Sequence, residues 1–126
     1  MSYTIERLKN PQAYLVTLNE DFSFEGEYHE YHDTLVKALN REAMPVNVIV
    51  DMLKVTTLFE DLLTATKDNM SGEHSNPFVL PNVKSVIAVT NSGLIKLSID
   101  GFIEFGIVKN LKAVDSVDEA LRHVAD

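Results

Sequence analysis

The chain has 126 residues, of which 45% are hydrophobic and 24% are charged, a size and composition typical of one globular domain. It contains no cysteine, which excludes a disulfide scaffold, a catalytic thiolate and any metal site built on thiolates. The 11 basic and 19 acidic residues give a formal net charge of −8. Because the basic residues are scattered singly, we expect neither nucleic acid nor an anionic membrane as the partner, since both are bound through clustered cations.

The N-terminal sequence carries no apolar segment of the kind that directs export, and no later segment approaches the roughly 20 apolar residues of a membrane span. Together with the absence of cysteine, this predicts a soluble protein of the cytoplasm. No linker, repeat or low-complexity tract interrupts the chain. We therefore expect residues 1–126 to form a single domain.

The N-terminal residues predict a β-hairpin. Apolar and polar residues alternate over residues 2–8, as in a strand with one solvent-facing side. Asn10 and Pro11 mark a turn, and residues 13–18 (AYLVTL) have the aromatic and β-branched content of a second strand. The first of these strands is expected at the edge of a sheet.

A helix and a buried strand follow the hairpin. Apolar residues recur at steps of three and four, which predicts an amphipathic helix over residues 23–42 with Ser23 as its N-cap. Pro45 ends that helix. Residues 46–50 (VNVIV) form a short apolar run before Asp51, as expected for a central strand that is covered on both faces.

The second half of the chain alternates helices and strands. Thr57, with Glu60 three positions further on, predicts a capped helix over residues 57–69. The other predicted elements are a loop at residues 71–82, a strand at 86–89, a helix at 93–103 capped by Asn91, a strand at 111–114 and a last helix that Ser116 caps and that runs to Val124.

This order, β-β-α-β-α-β-α-β-α, predicts an α/β fold with a mixed, mainly parallel sheet of about five strands and with four helices. Ligands of open parallel sheets bind where the strands end, at their carboxyl edge. Residues 51–57 and 90–93 are predicted to lie at that edge.

Two stretches of the sequence resemble a known family. Residues 51–56 (DMLKVT) follow the central predicted strand, and residues 114–121 (VDSVDEAL) open the last helix. Together with the order of the elements, they resemble the STAS domains of anti-sigma-factor antagonists, and more closely the STAS-like relatives that are grouped with lipid-binding carriers. The resemblance covers nearly the whole chain and implies a binding module that phosphorylation can switch.

The resemblance implies an acceptor serine at the start of the helix after the central strand, and the chain departs from the family there. The corresponding stretch, residues 56–61 (TTLFED), has no serine. One alternative is that Thr56 or Thr57 accepts the phosphate. The other is that Glu60 and Asp61 supply a permanent negative charge in its place.

The histidines do not predict catalysis or a metal centre. His29, His32, His74 and His123 belong to no recognisable arrangement of nucleophile and base, so no enzyme activity is predicted. Glu25, His29 and His32 are spaced four and three positions apart and share one side of the predicted helix, which makes them a weak metal candidate. A tight site needs a further protein ligand. We favour a polar, solvent-facing helix side and predict no metal and no cofactor.

Apolar residues surround almost the whole circumference of the helix predicted at residues 93–103, which is more than a helix lying on a sheet requires. Its second cover is a second copy of the chain, a protein partner, an apolar ligand or the loop that carries Phe78. The residues assigned to this face are Leu94, Ile95, Ile99, Phe102 and Phe78.

Two functions remain open at this point. The first, which we prefer, is a non-catalytic regulatory module that binds a protein partner and forms a homodimer, using the helix at residues 93–103 and the loop after Asp51. The second is a carrier of a small apolar molecule or lipid, with an apolar pocket beneath that helix and the Phe78 loop.

Overall fold

The structure is a computed structural model that describes residues 2–9, 12–22, 24–55, 82–105 and 110–124. The predicted helix at residues 57–69 and the predicted loop, apart from Asn82, lie outside these ranges. The described elements follow one another as β1 (Tyr3–Lys9), β2 (Gln12–Leu18), α1 (Phe24–Leu39), β3 (Val46–Asp51), β4 (Val83–Val89), α2 (Gly93–Phe105), β5 (Leu111–Val114) and α3 (Val117–Val124).

The described strands form one five-stranded sheet in the order β1-β2-β3-β4-β5. β1 runs antiparallel to β2, with Tyr3 opposite Leu18 and Lys9 opposite Gln12. β2, β3, β4 and β5 are parallel to one another. The fold is therefore α/β with a mixed sheet, and the N-terminal hairpin supplies its antiparallel pair.

α1 and α2 cover the same side of the sheet, which we call the front face. The strand order advances in one direction from β2 to β5, and right-handed crossovers that advance in one direction all lie on one side. Leu35 of α1 packs in a buried cluster with Val48 of β3, and Ile95 and Ile99 of α2 pack with Ala88 of β4. Val48 and Ala88 point to the front face because the side chains of a strand alternate between its faces.

α3 covers the opposite side of the sheet, the back face. Ala120 and Val124 of α3 pack in a cluster with Ile49, Ile87 and Val114. A strand that is covered on both sides loses the usual alternation of apolar and polar residues. This explains why β3 reads VNVIV over its first five residues and why all five are buried.

Aromatic side chains fasten β1 to α1 on the front face. The Tyr3 hydroxyl donates a hydrogen bond to Oε1 of Glu30 at 2.9 Å. The Phe22 ring meets Tyr3 and Tyr31 edge-on, with centroid distances of 6.4 and 5.7 Å, the geometry that aromatic pairs favour. Burial, and then the hydrogen bond with Glu30, raise the pKa of Tyr3.

A second polar contact fastens the hairpin to the other end of α1. Arg7 donates to both carboxylate oxygens of Glu42, at 3.2 and 2.9 Å, and the Tyr14 hydroxyl donates to Oε2 of Glu42 at 2.7 Å. These bonds, that from Arg7 first, lower the pKa of Glu42. Burial and the hydrogen bond with Glu42 raise the pKa of Tyr14. We call these three residues the hairpin clamp.

The ends of the helices correct two predictions. α1 ends at Leu39 rather than near Glu42. The amides of Arg41 and Glu42 bond three residues back, to the carbonyls of Ala38 at 3.2 Å and Leu39 at 3.0 Å, so the α-helical pattern stops there. Ser92, not Asn91, caps α2, since its hydroxyl accepts from the Ile95 amide at 3.3 Å. The predicted N-cap Ser116 is confirmed. Among the described residues, the helices are too short or too polar to cross a membrane.

Candidate functional site

The parallel strands end at one edge of the sheet, and their loops form a continuous surface there. β2 leads into residues 19–21, β3 ends at Asp51 and leads into residues 52–55, β4 leads into residues 90–92, and β5 leads into Asp115. We call these residues, with the outward side of α2, the carboxyl-edge surface. It is the part of an open α/β sheet where binding residues gather.

The loop after β3 is held by hydrogen bonds of its own backbone. The carboxylate of Asp51 accepts from the amide of Leu53 at 3.0 Å, a local turn that aspartate favours. The Met52 amide donates to the Val89 carbonyl at 2.8 Å, and the Val55 amide donates to the Met52 carbonyl at 3.2 Å. The loop therefore turns away from the sheet at a defined place beside β4.

The loop after β4 sets the direction of α2. Thr90 is buried, and its amide donates to the Val114 carbonyl at 3.0 Å. Its hydroxyl accepts from the Ser92 amide at 3.1 Å, and Ser92 in turn caps the helix. The predicted stretches after Asp51 and around Thr90 thus meet at one edge of the sheet, as far as their residues are described.

An open depression of about 540 Å³ lies on this surface, lined by Asn19, Glu20, Asp21 and Lys54. Its lining combines two carboxylates, one amide and one ammonium group. Such a set can exchange hydrogen bonds and ion pairs with the polar side chains of another protein, at the rim of an interface.

Apolar side chains are exposed next to this polar depression. Leu53 in the loop after β3 is 42% exposed, and Leu97 on α2 is 69% exposed. The two elements are neighbours, because Met52 packs against the cluster that contains Ile95 and Ile99. Leu53 thus stands next in the sequence to Lys54 of the depression, and Leu97 is exposed on the outward side of α2.

The residues predicted for the α2 face have different positions in the structure. Ile95 and Ile99 are buried against the sheet, and Leu94 is half-buried. The side chain of Phe102 and all of Phe78 lie outside the described part of the chain. The exposed apolar residues of α2 include Leu97 and Ile103, which were not among the residues assigned to this face.

The residues predicted for regulation, Thr56, Thr57, Glu60 and Asp61, lie outside the described ranges. Their chain neighbour Val55 is described and packs at the margin of the front-face core. The predicted regulatory residues therefore come directly after residues 52–55 in the chain, and the structure places residues 52–55 on the carboxyl-edge surface.

The prediction that His32 lies on a polar, solvent-facing side of α1 is wrong. Its side chain is only 3% exposed, and its ring lies 4.4 Å from that of Tyr31, centroid to centroid. His32 precedes the buried Leu35 and Leu39 by three and seven positions, so it shares their side of the helix. The side chains of Glu25 and His29 are not among those described, and the described residues contain no group of three metal-binding side chains.

A pattern in the sequence indicates the residues of the depression, although they were not among the predicted site residues. Asn19, Glu20 and Asp21 directly follow the apolar residues of β2, and polar residues at the end of a parallel strand are the same pattern that selected the loop after Asp51. The outward position of Leu97 follows from helical spacing if Ile95 and Ile99 are buried. Leu97 is two positions from each, about 200° around the helix.

Comparison with the profiles of known protein families gives no match for this chain. A search among curated proteins gives no significant match either. The geometry of the sheet and of its edges is therefore the basis for a functional proposal.

Proposed function

We propose that this protein is a non-catalytic, STAS-like regulatory module that binds other protein chains, including a second copy of itself, through the carboxyl-edge surface. The observation that carries the proposal is the exposure of Leu53, next in the sequence to Lys54 of the polar depression, and of Leu97 on the outward side of α2. Apolar anchors with a polar rim are the usual composition of protein interfaces.

The order of the described elements supports the resemblance. The described hairpin, α1, β3, β4, α2, β5 and α3 follow one another as in the predicted order, of which the helix at residues 57–69 lies outside the described part of the chain. The loop after β3 also leaves the sheet at its carboxyl edge, where the family resemblance implies the regulatory segment. Thr56 or Thr57 would accept the phosphate there, or Glu60 and Asp61 would replace its charge.

The energy available from the exposed leucines is sufficient to matter. Burying a fully exposed leucine contributes about 1.5–3 kcal/mol, and two partly exposed leucines together contribute about 2–3 kcal/mol on the same scale. Each 1.4 kcal/mol changes an association constant about tenfold. Loss of one leucine therefore weakens association measurably without disturbing the core.

Most side chains that line the two pockets of the described residues are polar, which is not the lining expected of a lipid carrier. A carrier function makes a different prediction, which is a monomer that retains a lipid through purification. This difference makes mass spectrometry under native conditions the sharpest test.

We expect native mass spectrometry of the recombinant protein to show a homodimer. Leu97→Asp should give a folded monomer, because it places a charge on the interface and leaves the buried side of α2 intact. Met44→Asp is the matched control, since Met44 is 67% exposed and lies before β3, at the opposite edge of the sheet. It should remain dimeric.

Two results would contradict the proposal. One is a monomer that carries a co-purified lipid, which would favour the carrier function. The other is a dimer that Leu97→Asp and Met44→Asp affect equally, which would place the contact elsewhere. Circular dichroism of both variants controls for loss of folding.

A further inference from the structure

Four basic residues lie at one corner of the amino edge of the sheet, the edge where the parallel strands begin. Arg7 and Lys9 belong to the end of β1, which reaches this edge because Lys9 stands opposite Gln12, the first residue of β2. Lys37 lies in the last turn of α1, and Arg41 follows in the turn after the helix. We call Arg7, Lys9, Lys37 and Arg41 the basic corner.

The hairpin clamp brings the two halves of the basic corner together. Arg7 of β1 bonds the carboxylate of Glu42 at 2.9 Å, and Glu42 follows Arg41 directly in the chain. Lys37 and Arg41 are four positions apart, about one helical turn, so they stand near each other. Lys9 shares the front face with Arg7, because alternate residues of a strand point to the same side. The fold thus gathers cations that are scattered singly in the sequence.

Most of the positive charge of the basic corner is not neutralised within the protein. Arg7 is bonded to Glu42, so that pair is neutral. Within the described part of the chain, no carboxylate lies within ion-pair distance of Lys9, Lys37 or Arg41. All three are exposed. The corner therefore presents cations to solvent in a protein whose formal net charge is −8.

An exposed apolar residue follows the basic corner in the chain. Met44 is 67% exposed and stands two positions after Glu42, between the end of α1 and the start of β3. Methionine is flexible and polarisable, so it adapts to the shape of a partner. The corner and Met44 together combine charged groups with one apolar contact, as a small protein interface does.

The charge changes sign along α1. Glu30 is exposed, and its carboxylate accepts from the hydroxyl of Tyr3 at the other end of β1. Asp33, one turn before Lys37, is also exposed. Since a helix rises 1.5 Å per residue, Glu30 lies about 10 Å from Lys37 along α1. A long polyanion or a flat anionic membrane over the corner would meet these carboxylates, whereas a short anionic segment would not.

We propose that the basic corner binds a short acidic segment of a partner protein. In an extended segment, residues two positions apart point to the same side and lie about 7 Å apart. Arg7 and Lys9 have this spacing in β1, and Lys37 and Arg41 lie about 6 Å apart along the helix axis. Carboxylates at alternate positions of the segment match these cations as charge-assisted hydrogen bonds. An apolar residue next to them contacts Met44.

The test is a fluorescence-anisotropy titration with a short synthetic peptide that carries fluorescein and in which glutamate alternates with serine around one leucine. We expect saturable binding that weakens as sodium chloride is added, because salt screens exposed charges. The same peptide with glutamine in place of every glutamate should not bind. Equal binding of the two peptides would contradict the proposal.

Removal of two cations from the basic corner should weaken the binding. Lys37→Gln combined with Arg41→Gln should lower the affinity about tenfold, because two exposed ion pairs are lost. The matched control is Lys84→Gln combined with Lys112→Gln. It removes the same charge from exposed lysines of β4 and β5, which lie across the sheet from β1, and should leave the affinity unchanged. Met44→Ala should weaken the binding by a smaller factor.

Four results would overturn the proposal. The first is the absence of saturable binding of the glutamate peptide. The second is an equal loss of affinity in the two double variants, because the peptide would then respond to overall charge. The third is equally tight binding of duplex DNA or of phosphatidylserine vesicles, measured in parallel, which would assign the corner to an extended polyanion. The fourth is a dimer that only the Lys37 and Arg41 variant converts to a monomer, which would assign the corner to a second copy.

The titration is separate from the test of the proposed function. The basic corner lies at the opposite edge of the sheet from the carboxyl-edge surface, and the peptide signal is readable for a monomer and for a dimer. Failure of the peptide to bind would therefore leave the proposed function standing, and a monomeric protein would leave the corner open to the peptide.

Discussion

The two edges of the sheet differ in almost every respect. At the carboxyl edge, a wide depression of about 540 Å³ is lined by Asn19, Glu20, Asp21 and Lys54, and the exposed Leu53 follows β3 there. At the amino edge, the described residues that line a pocket of about 250 Å³ include the polar Asn47, Ser85 and Asn110. The first geometry suits a broad contact with another protein, and the second surrounds the hydrogen-bonded pair of Asn47 and Ser85.

The two edges differ because loops cover the carboxyl edge and α3 covers part of the amino edge. At the carboxyl edge, loops leave four parallel strands, and their backbone groups bond to one another, as Met52 does to Val89. Some of their side chains, such as those of Glu20, Asp21 and Leu53, face outward. At the amino edge, α3 crosses the back face, so the ends of β3 and β4 are partly enclosed and can keep a buried polar pair.

The largest expected effect concerns the attachment of α2, which carries one half of the carboxyl-edge surface. Ile99→Ala should lower the free energy of unfolding by about 2–5 kcal/mol, because it removes a buried side chain from the contact of α2 with Ala88. Urea unfolding measures this. The control Leu97→Ala, on the exposed side of the same helix, should change the free energy by no more than about 0.5 kcal/mol. Equal losses from the two variants would mean that Leu97 is also part of the core.

A smaller effect should come from the cap that sets the direction of α2. Ser92→Ala removes the hydroxyl that accepts from the Ile95 amide and should cost about 1 kcal/mol in urea unfolding. Asn91→Ala is the matched control and should have little effect. A larger loss of unfolding free energy from Asn91→Ala than from Ser92→Ala would mean that Asn91 caps α2, as the sequence predicted.

The smallest effect concerns the hairpin clamp, and it depends on pH. The bonds from Arg7 and then Tyr14 hold the pKa of Glu42 below its ordinary value of 4.5. A carboxylate with a lowered pKa in the folded state adds stability above its unfolded pKa, and that stability is lost as the pH falls through its folded pKa. The free energy of unfolding of the wild-type protein should therefore exceed that of Glu42→Gln by less than about 1 kcal/mol at neutral pH. This difference should shrink below pH 4.5.

The control for this prediction is Glu6→Gln. Glu6 is an exposed residue of β1, next to Arg7 in the sequence, and its substitution should give no such pH-dependent difference in urea unfolding. The difference in unfolding free energy between wild type and Glu42→Gln could instead stay constant from neutral to acid pH. That result would show that Glu42 acts through its shape and not through its charge.

Much of the fold was predictable because its local signals agreed. The apolar run before Asp51 predicted β3, the residues around Ser116 predicted the start of α3, and the alternation of elements predicted the α/β class. Errors appeared at helix ends. A cap is decided by backbone geometry over a few residues, and Asn91 and Ser92 are equally suitable by composition.

The candidate sites were less predictable because they join residues that are distant in the sequence. The position of His32 depends on which side of α1 meets the sheet, and that is a property of packing. The pocket at the amino edge combines Asn47, Ser85, Asn110 and His123 from four separate elements. None of these residues forms a motif with its sequence neighbours.

The sequence by itself determined the type of each described element, because the spacing of apolar residues, the caps and the prolines act within a few positions along the chain. The tertiary structure alone decided which side chains remained outside and which met across the sheet. Leu97 is exposed because α2 has one side on the front face, and Asn47 and His123 line one pocket because α3 returns across the back face. Those placements follow from the strand order and the crossovers, which are long-range properties of the chain.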